Sequence, residues 1–297
     1  MSSVSFSWDI KKKLCAAKPQ CPFCTRSELA GIVGFSGDFS ESRLKLMTEH
    51  ELLAERITAD IEECIGITPA VTGDKTRKIL IEDNAVLDNL RACLFLADEQ
   101  TESEFEEEIL KLECCRESYV RGAFLSGGCV LDPSRSYHLE FDTKYKKSSG
   151  RLSRLLSDMG YPVRVTYRKG HHLVYIKGYE SIAEILGFMG AGGGALKLYS
   201  VQIEKEMRNA VNRQVNCETA NAEKLAAAAS RQLAAIRKIQ KGAGLSSLPD
   251  NLRELACLRL EHPDESLKWL GERLVPPIGK SGVNHRMNKI IEIAREM

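Results

Sequence analysis

The apolar positions of this chain fall into a pattern that is used twice. "LAGIVGFSGDF" (Leu29–Phe39) and "VRGAFLSGGCV" (Val120–Val130) are apolar runs with glycine third from the start and small residues clustered near the end. Each predicts a buried helix. The first is followed by "RLKLMTE" (Arg43–Glu49), a helical stretch "HELLAERITADIEECIG" (His50–Gly66), then "ITPAVTG", "TRKILIED" and "NAVLDNLRACLFLA". The second is followed by "SYHLEFDT" (Ser136–Thr143), a helical stretch over 147–160, then "YPVRVTYR", "HHLVYIKG" and "YESIAEILGFMG". Strand segments alternate with period two, Tyr137, Leu139 and Phe141 on one face, His138 and Glu140 on the other. The order is helix, short strands, helix, two strands, helix, and then the same again. Between the copies, the acidic "DEQTESEFEEE" (Asp98–Glu108) reads as a solvated linker or the start of an exposed helix. Gly31 and Gly122, with Ala30 and Ala123 beside them, suit a tight seam between the two leading helices, since small residues let backbones approach.

The last third has another texture. "NAEKLAAAASRQLAAIRKIQK" (Asn221–Lys241) is a strong helix former with Leu225, Ala229, Leu233 and Ile236 along one face. Glycines 242 and 244 end it. "SLPDNLRELACLRLEH" begins with Ser247 as a plausible N-cap and Asp250 three residues on. "PDESLKWLGERL" gives a short helix with Leu267, Leu270 and Leu274 inward, and the prolines of "VPPIGK" break it. "SGVNHRMNKIIEIAREM" is a final helix with Ser281 as its cap. Turning about 100° per residue, that helix gathers Val283, Met287, Ile290, Ile291 and Ala294 on a buried side. Ser281, His285, Asn288, Lys289 and Glu292 fall opposite, with Asn284 and Arg286 on the flanks. A helix, a short helix, a turn and a helix with a polar start is the order of a helix-turn-helix, though the turn from Val275 to Lys280 is long for a compact one. On that reading Lys280, Ser281, Asn284, His285, Arg286, Asn288 and Lys289 face DNA, the short polar groups at base edges and the cations at phosphates. A helical bundle that binds a protein is the competing reading.

Composition narrows the field. A chain of 297 residues, 43% apolar and 28% charged, has room for two or three domains with real cores. No apolar run approaches the ~18 residues of a membrane span. "MSSVSFSWDIKKKLC" lacks the pattern of a signal peptide, so a cytoplasmic location is expected. Net charge is +1, but residues 1–142 hold 16 Lys and Arg against 26 Asp and Glu, residues 143–214 hold 13 against 5, and residues 215–297 hold 13 against 10. A polyanion should therefore meet the second half.

Ten cysteines are scattered along the chain. "CPFC" (Cys21, Cys24), with Cys15 upstream, supplies two ligands where a structural zinc site wants four, and no second C-x-x-C follows. The expected state is inert thiols, with no metal and no cofactor; zinc at Cys15, Cys21 and Cys24 stays open. His171 and His172 are neighbours on a strand and so face opposite ways. "GAGGGALKL" (Gly190–Leu198) lacks the Gly-Lys-Ser/Thr ending of a phosphate loop and reads as a flexible turn. Arg208 and Arg213 are candidate phosphate contacts, while Asn212, Asn216 and Asn221 suit a structural role between domains.

The paired helices and strands resemble the LAGLIDADG homing-endonuclease fold, in which two such helices pack beneath a saddle of antiparallel sheet and each presents one carboxylate to shared divalent metals. Carboxylates hold the hard cations that activate water for phosphodiester hydrolysis. Laid on that motif, "LAGIVGFSG" puts Ser36 at the acid position and "VRGAFLSGG" puts Gly127 there. Asp38 lies two residues beyond the first, and the second half offers no carboxylate until Asp132. Metal-dependent cleavage is not expected.

Longer stretches resemble the WhiA family: "SFSWDIKKKLC", "ELAGIVGFSG", "RGAFLSGGCVLDPSRSYHLEF", "KEMRNAVNRQVNCETAN" and the C-terminal "SLPDNLRELACLRLEHPDESLKWLGERLVPPIGKSGVNHRMNKI". The resemblance implies an α+β chain, a duplicated LAGLIDADG-like α/β saddle domain followed by an all-α helix-turn-helix domain. Its parts would be an N-terminal segment 1–26, a degenerate LAGLIDADG-like domain 27–206 with repeats at about 27–97 and 117–190, a linker 207–221, and a DNA-binding domain 222–297. The implied function is non-enzymatic, sequence-specific regulation of transcription on double-stranded DNA at the nucleoid. Its setting would be sporulation-associated septation with a WhiB-type iron–sulphur protein as partner, or cell division and chromosome segregation. The rival readings are a metal-dependent endonuclease and a saddle that docks a protein while the C-terminal domain alone reads DNA.

Overall fold

In the computed structural model the two apolar helices lie against each other, and each leads its own copy of one α/β pattern. The structure describes residues 5–36, 38–94, 105 and 110–297, leaving out the side chain of Ser36. The first copy runs α2 (Cys24–Ser36), β1 (Asp38–Phe39), β2 (Leu44–Thr48), α3 (Glu51–Ile65), β3 (Val71–Thr72), β4 (Arg77–Ile81) and α4 (Asn84–Cys93). The second runs α5 (Glu113–Gly127), β5 (Gly128–Val130), β6 (His138–Thr143), α6 (Lys146–Asp158), β7 (Arg164–Arg168), β8 (His171–Lys177) and α7 (Tyr179–Phe188). The sheets are antiparallel and share one topology, β1-β2-β4-β3 and β5-β6-β8-β7. Alternation sets their faces: Leu139, Phe141 and Thr143 of β6 are buried, and His138, Glu140 and Asp142 point the other way, half-buried. The acidic stretch between the copies lies outside the described residues except Phe105, whose ring meets Tyr119 edge-on at 6.0 Å between centroids.

The α2–α5 seam is the centre of the first unit. A Cβ added to Gly31 would collide with the carbonyl of Tyr119 and the amide of Ala123, and one added to Gly122 with the carbonyl of Glu28. The backbones approach that closely because neither residue carries a side chain. Around the seam Leu29, Ile32, Val120, Phe124 and Phe141 are essentially inaccessible to solvent, each contributing on the order of 1.5–3 kcal/mol from burial.

The same seam holds charge, which no sequence pattern announced. Glu28 of α2 is buried and accepts from Arg121 Nε of α5 at 2.7 Å and from Arg56 Nε of α3 at 3.0 Å. Arg121 also donates to the Met189 carbonyl at 3.2 Å and to Ser118 Oγ at 2.9 Å. Asp60 shares Arg56 at 3.1 Å. Burial, then the nearby Glu28 carboxylate, push the Asp60 carboxyl up to about 8 in spite of that arginine.

Several expectations need correction. The first 26 residues are no separate segment: α1 (Phe6–Leu14) buries Phe6, Ile10 and Leu14 in the same core, and α2 already starts at Cys24. Glycines 192–194 are not a flexible turn but the start of α8 (Gly192–Lys241). Glycine is a poor helix former, yet Gly194 is pressed against α1, with Ile10 only 3.0 Å from a Cβ placed there. The segment 207–221 is helical throughout as part of α8, so the helix read as starting at Asn221 starts much earlier. Of the expected stripe Ile236 is buried and Ala229 and Leu233 half-buried, but Leu225 is 57% exposed, and Gln232 and Ile239 are buried beside Ile236.

The chain folds as two units, residues 1–205 and 206–297. In the second, Ile236 and Ile239 pack with α9 (Asp250–Glu261), α10 (Leu267–Arg273) and α11 (Lys280–Glu296) around Leu252, Leu255, Leu270, Leu274, Val283, Met287 and Ile290. Ser247 does not cap α9. It belongs to a 3-10 turn over Leu245–Ser247, and Pro249 stands at the N-cap. Ser266 does cap α10, accepting from the Trp269 amide at 3.2 Å. Gly279 holds the N-cap of α11, which moves Ser281 into the first turn. Buried Arg259 locks the unit from inside, donating to Gln232 Oε1 at 2.8 and 3.0 Å and to the Glu265 carbonyl at 2.6 Å. Among the described residues no helix is long and apolar enough to cross a membrane.

Candidate functional site

At the C-terminal ends of α2 and α5, where the LAGLIDADG resemblance puts its acids, lies an open cavity of about 420 Å³. Gly127, Ser126 and Phe35 come from the helices, Asp38, Lys45 and Asp142 from β1, β2 and β6, and Lys144 and His171 from beyond and across the second sheet. Ser36 closes α2, with its side chain outside the described residues. Gly127 has no room for a side chain: an added Cβ would strike the Asp142 carbonyl and sit 3.0 Å from Phe35 Cβ. The glycine at this acid position is therefore required by packing.

Two carboxylates do reach the cavity, and the sequence reading missed one of them. Asp142 was not singled out, because it lies on a strand sixteen residues after Ser126 rather than on a helix end. Its Oδ1 sits 2.6 Å from His171 Nδ1, so His171 faces this cavity from β8. Period-two alternation of β6 and β8 held the signal, but only once their register was known. Asp38 accepts from Arg43 at 2.7 Å. Each carboxylate is thus matched with a local nitrogen, and Lys45 and Lys144 line the same space. A site for two hard cations needs several oxygens free to ligate and no ammonium between them. Here both carboxylates are paired and two lysines share the lining.

On α11 the split of the sequence reading is visible atom by atom. Val283, Met287, Ile290 and Ala294 are buried, and Ile291 is half-buried. Lys280, Ser281, Asn284, His285, Asn288 and Lys289 are exposed on the other side. Arg286 differs from them: it is half-buried, and its Nη1 donates to the Asn251 carbonyl at 3.4 Å, bracing the first turn of α9. A groove beside it is lined by Pro249, Asn251, His285, Lys289 and Glu292. Arg208 and Arg213 lie exposed on α8.

The thiols are not all scattered. Cys21 precedes α2 and Cys24 is its first residue, while Cys114 and Cys115 stand in the first turn of α5. The seam brings the two helix starts together, and the four Sγ atoms all lie within 4.8 Å of one another. Cys21 Sγ is 3.5 Å from both Cys24 Sγ and Cys115 Sγ. Burial pushes the Cys21 thiol up, but hydrogen bonds from the Phe23 backbone and the neighbouring thiols outweigh it and bring it down to about 7. Among the described residues this is the one group of three or more His, Cys, Asp or Glu side chains that converges in this way. Cys15 is not part of it. The missing half of the C-x-x-C motif was ninety residues away, visible in the sequence only as an adjacent pair of cysteines.

Known proteins give this architecture its class. Residues 116–208 match the WhiA LAGLIDADG-like domain, and residues 211–294 match the WhiA C-terminal HTH domain. The chain is thus a LAGLIDADG-like domain joined to a helix-turn-helix domain. A relative from Ruminiclostridium cellulolyticum, named a probable cell division protein WhiA, is 39% identical over 307 residues, covering 99% of this chain and 98% of its own length. One from Heliobacterium modesticaldum with the same name is 39% identical, covering 98% and 96%. The crystal structure of full-length DUF199/WhiA from Thermatoga maritima matches with a TM-score of 0.61 at 25% identity over 99% of both chains. The chain belongs to the WhiA family.

Proposed function

We propose that this protein is a non-enzymatic, sequence-specific DNA-binding regulator that acts in cell division, holding duplex DNA through α11 without cutting it. The observation that carries the reading is the two-faced α11. Four apolar residues fix it in the core of the second unit, and Lys280, Ser281, Asn284, His285, Asn288 and Lys289 are exposed together on the other side. A helix so held presents short polar groups and cations at the spacing of base edges and phosphates in a major groove. The helix-turn-helix match and the names of the relatives support the same reading.

The absence of cleavage rests on donor chemistry. Glycine at position 127 leaves no ligand, Asp38 and Asp142 already face Arg43 and His171, and Lys45 and Lys144 share the lining with them. Such a cavity favours a backbone phosphate over a divalent cation, so the first unit adds affinity rather than chemistry.

The test is to recover the protein with its DNA from cells and sequence the fragments. A shared site is expected, bound by the purified chain at least about a thousandfold more tightly than random duplex. Fragments spread evenly over the genome, with no preference in solution, would exclude a sequence-reading role.

A further inference from the structure

Four thiols from two segments ninety residues apart meet at the N-terminal end of the helix seam, opposite the cavity just described. We propose that Cys21, Cys24, Cys114 and Cys115 bind one structural zinc ion that fastens the starts of α2 and α5, and with them the two repeats, to each other.

The donor set has the right chemistry and size. A tetrahedral zinc with Zn–S bonds of about 2.3 Å sets its sulfurs roughly 3.8 Å apart. The observed separations of 3.5 Å, within a group that spans no more than 4.8 Å, bracket that value. A polynuclear iron–sulphur cluster fits less well. The cysteines would then be divided among two or more irons, and bridging sulfides would spread thiolates on different irons further apart than this. Four neutral thiols make a weak case for themselves, since S–H is a poor donor and sulfur a poor acceptor.

The surroundings fit thiolates. The cysteines lie at the positive dipole ends of α2 and α5, and the Phe23 backbone donates to Cys21. Ser27 Oγ, fully buried, lacks a good hydrogen-bond partner: its neighbour is the Cys115 sulfur, a poor acceptor as a thiol. Arg116, next in the chain after Cys115, keeps a buried Nε that likewise lacks one. A buried hydroxyl left unpaired costs about 1–3 kcal/mol. A thiolate on Cys115 gives the Ser27 hydroxyl an acceptor, the usual second partner of a metal-bound sulfur. The arginine offsets part of the −2 charge that a zinc tetrathiolate carries.

The site also explains a division of labour along the seam. Small residues close its middle at Gly31 and Gly122, and the buried Glu28–Arg121 pair fixes its register. A metal at its N-terminal end would hold that end shut. This position is far along α2 and α5 from Ser36 and Gly127, so the ion would serve the fold and not hydrolysis.

The full-length chain, purified in reductant without chelator, decides the matter by elemental analysis and by cobalt substitution. One zinc per chain is expected, together with the strong thiolate-to-cobalt charge-transfer band of a tetrahedral sulfur site. Four thiols should become reactive for each zinc released by a mercurial. Cys21→Ser and Cys115→Ser should lose the ion, Cys217→Ser, which is exposed, should keep it, and Ser27→Ala should weaken binding by about tenfold. If the serine variants do not fold, the cobalt spectrum and thiol count of the unaltered chain still give the answer. Absence of zinc with no cobalt charge-transfer band would overturn the proposal. So would stoichiometric iron, or a disulfide among these four residues in protein prepared without oxygen.

Discussion

Gly122 of α5 lies so close to the Glu28 carbonyl of α2 that a methyl group at position 122 has nowhere to go. Glu28 in turn accepts from Arg121, the residue next to that glycine, at 2.7 Å. Contact and ion pair hold the same two helices at the same height.

Gly122→Ala and Gly31→Ala should therefore destabilise the first unit by about 1–3 kcal/mol each, since the obstacle is backbone and cannot swing aside. Urea unfolding of the full chain followed by near-UV circular dichroism checks this. Unchanged midpoints in both variants would mean that the seam is looser than described.

Gly127→Asp rebuilds a carboxylate at a degenerate acid position, and it should give no nuclease. The new Cβ meets the Asp142 carbonyl and Phe35, so the expected result is a lower melting temperature and an intact plasmid in magnesium. Cleavage by this variant would show that one further carboxylate beside Asp38 and Asp142 is enough to hold a working cation.

Stability should fall as the pH rises through the range set by Asp60. Its carboxyl is raised in the folded chain to about 8 from an ordinary value of 3.8, so between those limits the native state binds the extra proton. The free energy of unfolding then decreases with rising pH, and above the upper limit this contribution is flat. Thermal melts across that range should show a downward slope for the unaltered chain, reduced in Asp60→Asn. Identical slopes would place the titration elsewhere.

On α11 the two kinds of side chain should separate by assay. Lys280→Ala and Lys289→Ala are expected to weaken binding to every duplex and lower the salt slope by about 1 each. His285→Ala and Asn288→Ala should leave that slope alone and cost about 1–3 kcal/mol of discrimination between sites. Arg286→Ala should lower the melting temperature as well, because its guanidinium braces the Asn251 carbonyl. Fluorescence anisotropy on several duplexes and at several salt concentrations separates the first two outcomes, and thermal melts of the variants read the third.

The duplication was legible because its signal is local. Period-two strands such as Leu139 and Phe141, and glycine in two apolar helices, are properties of short windows. The buried face of α11 was legible for the same reason. What escaped was long-range pairing. Cys114 and Cys115 gain meaning only when α5 meets α2, Asp142 only when β6 is registered against β8, and the buried Glu28–Arg121 pair resembles any surface charges until the seam closes. Local rules also failed where packing overrode propensity. Glycines begin α8, where Gly194 lies flat against Ile10 of α1, and Pro249 takes the cap position that Ser247 would fill in an isolated peptide.

A grip without a blade can be tested in a single gel. The unaltered chain is mixed with supercoiled plasmid carrying its recovered site, in magnesium or manganese, and half of each sample is stripped of protein before loading. The plasmid should be retarded in the untreated lanes and still fully supercoiled in the stripped ones. Nicked or linear plasmid that rises with time and with metal concentration would contradict the reading of Gly127 and its cavity as a holding surface.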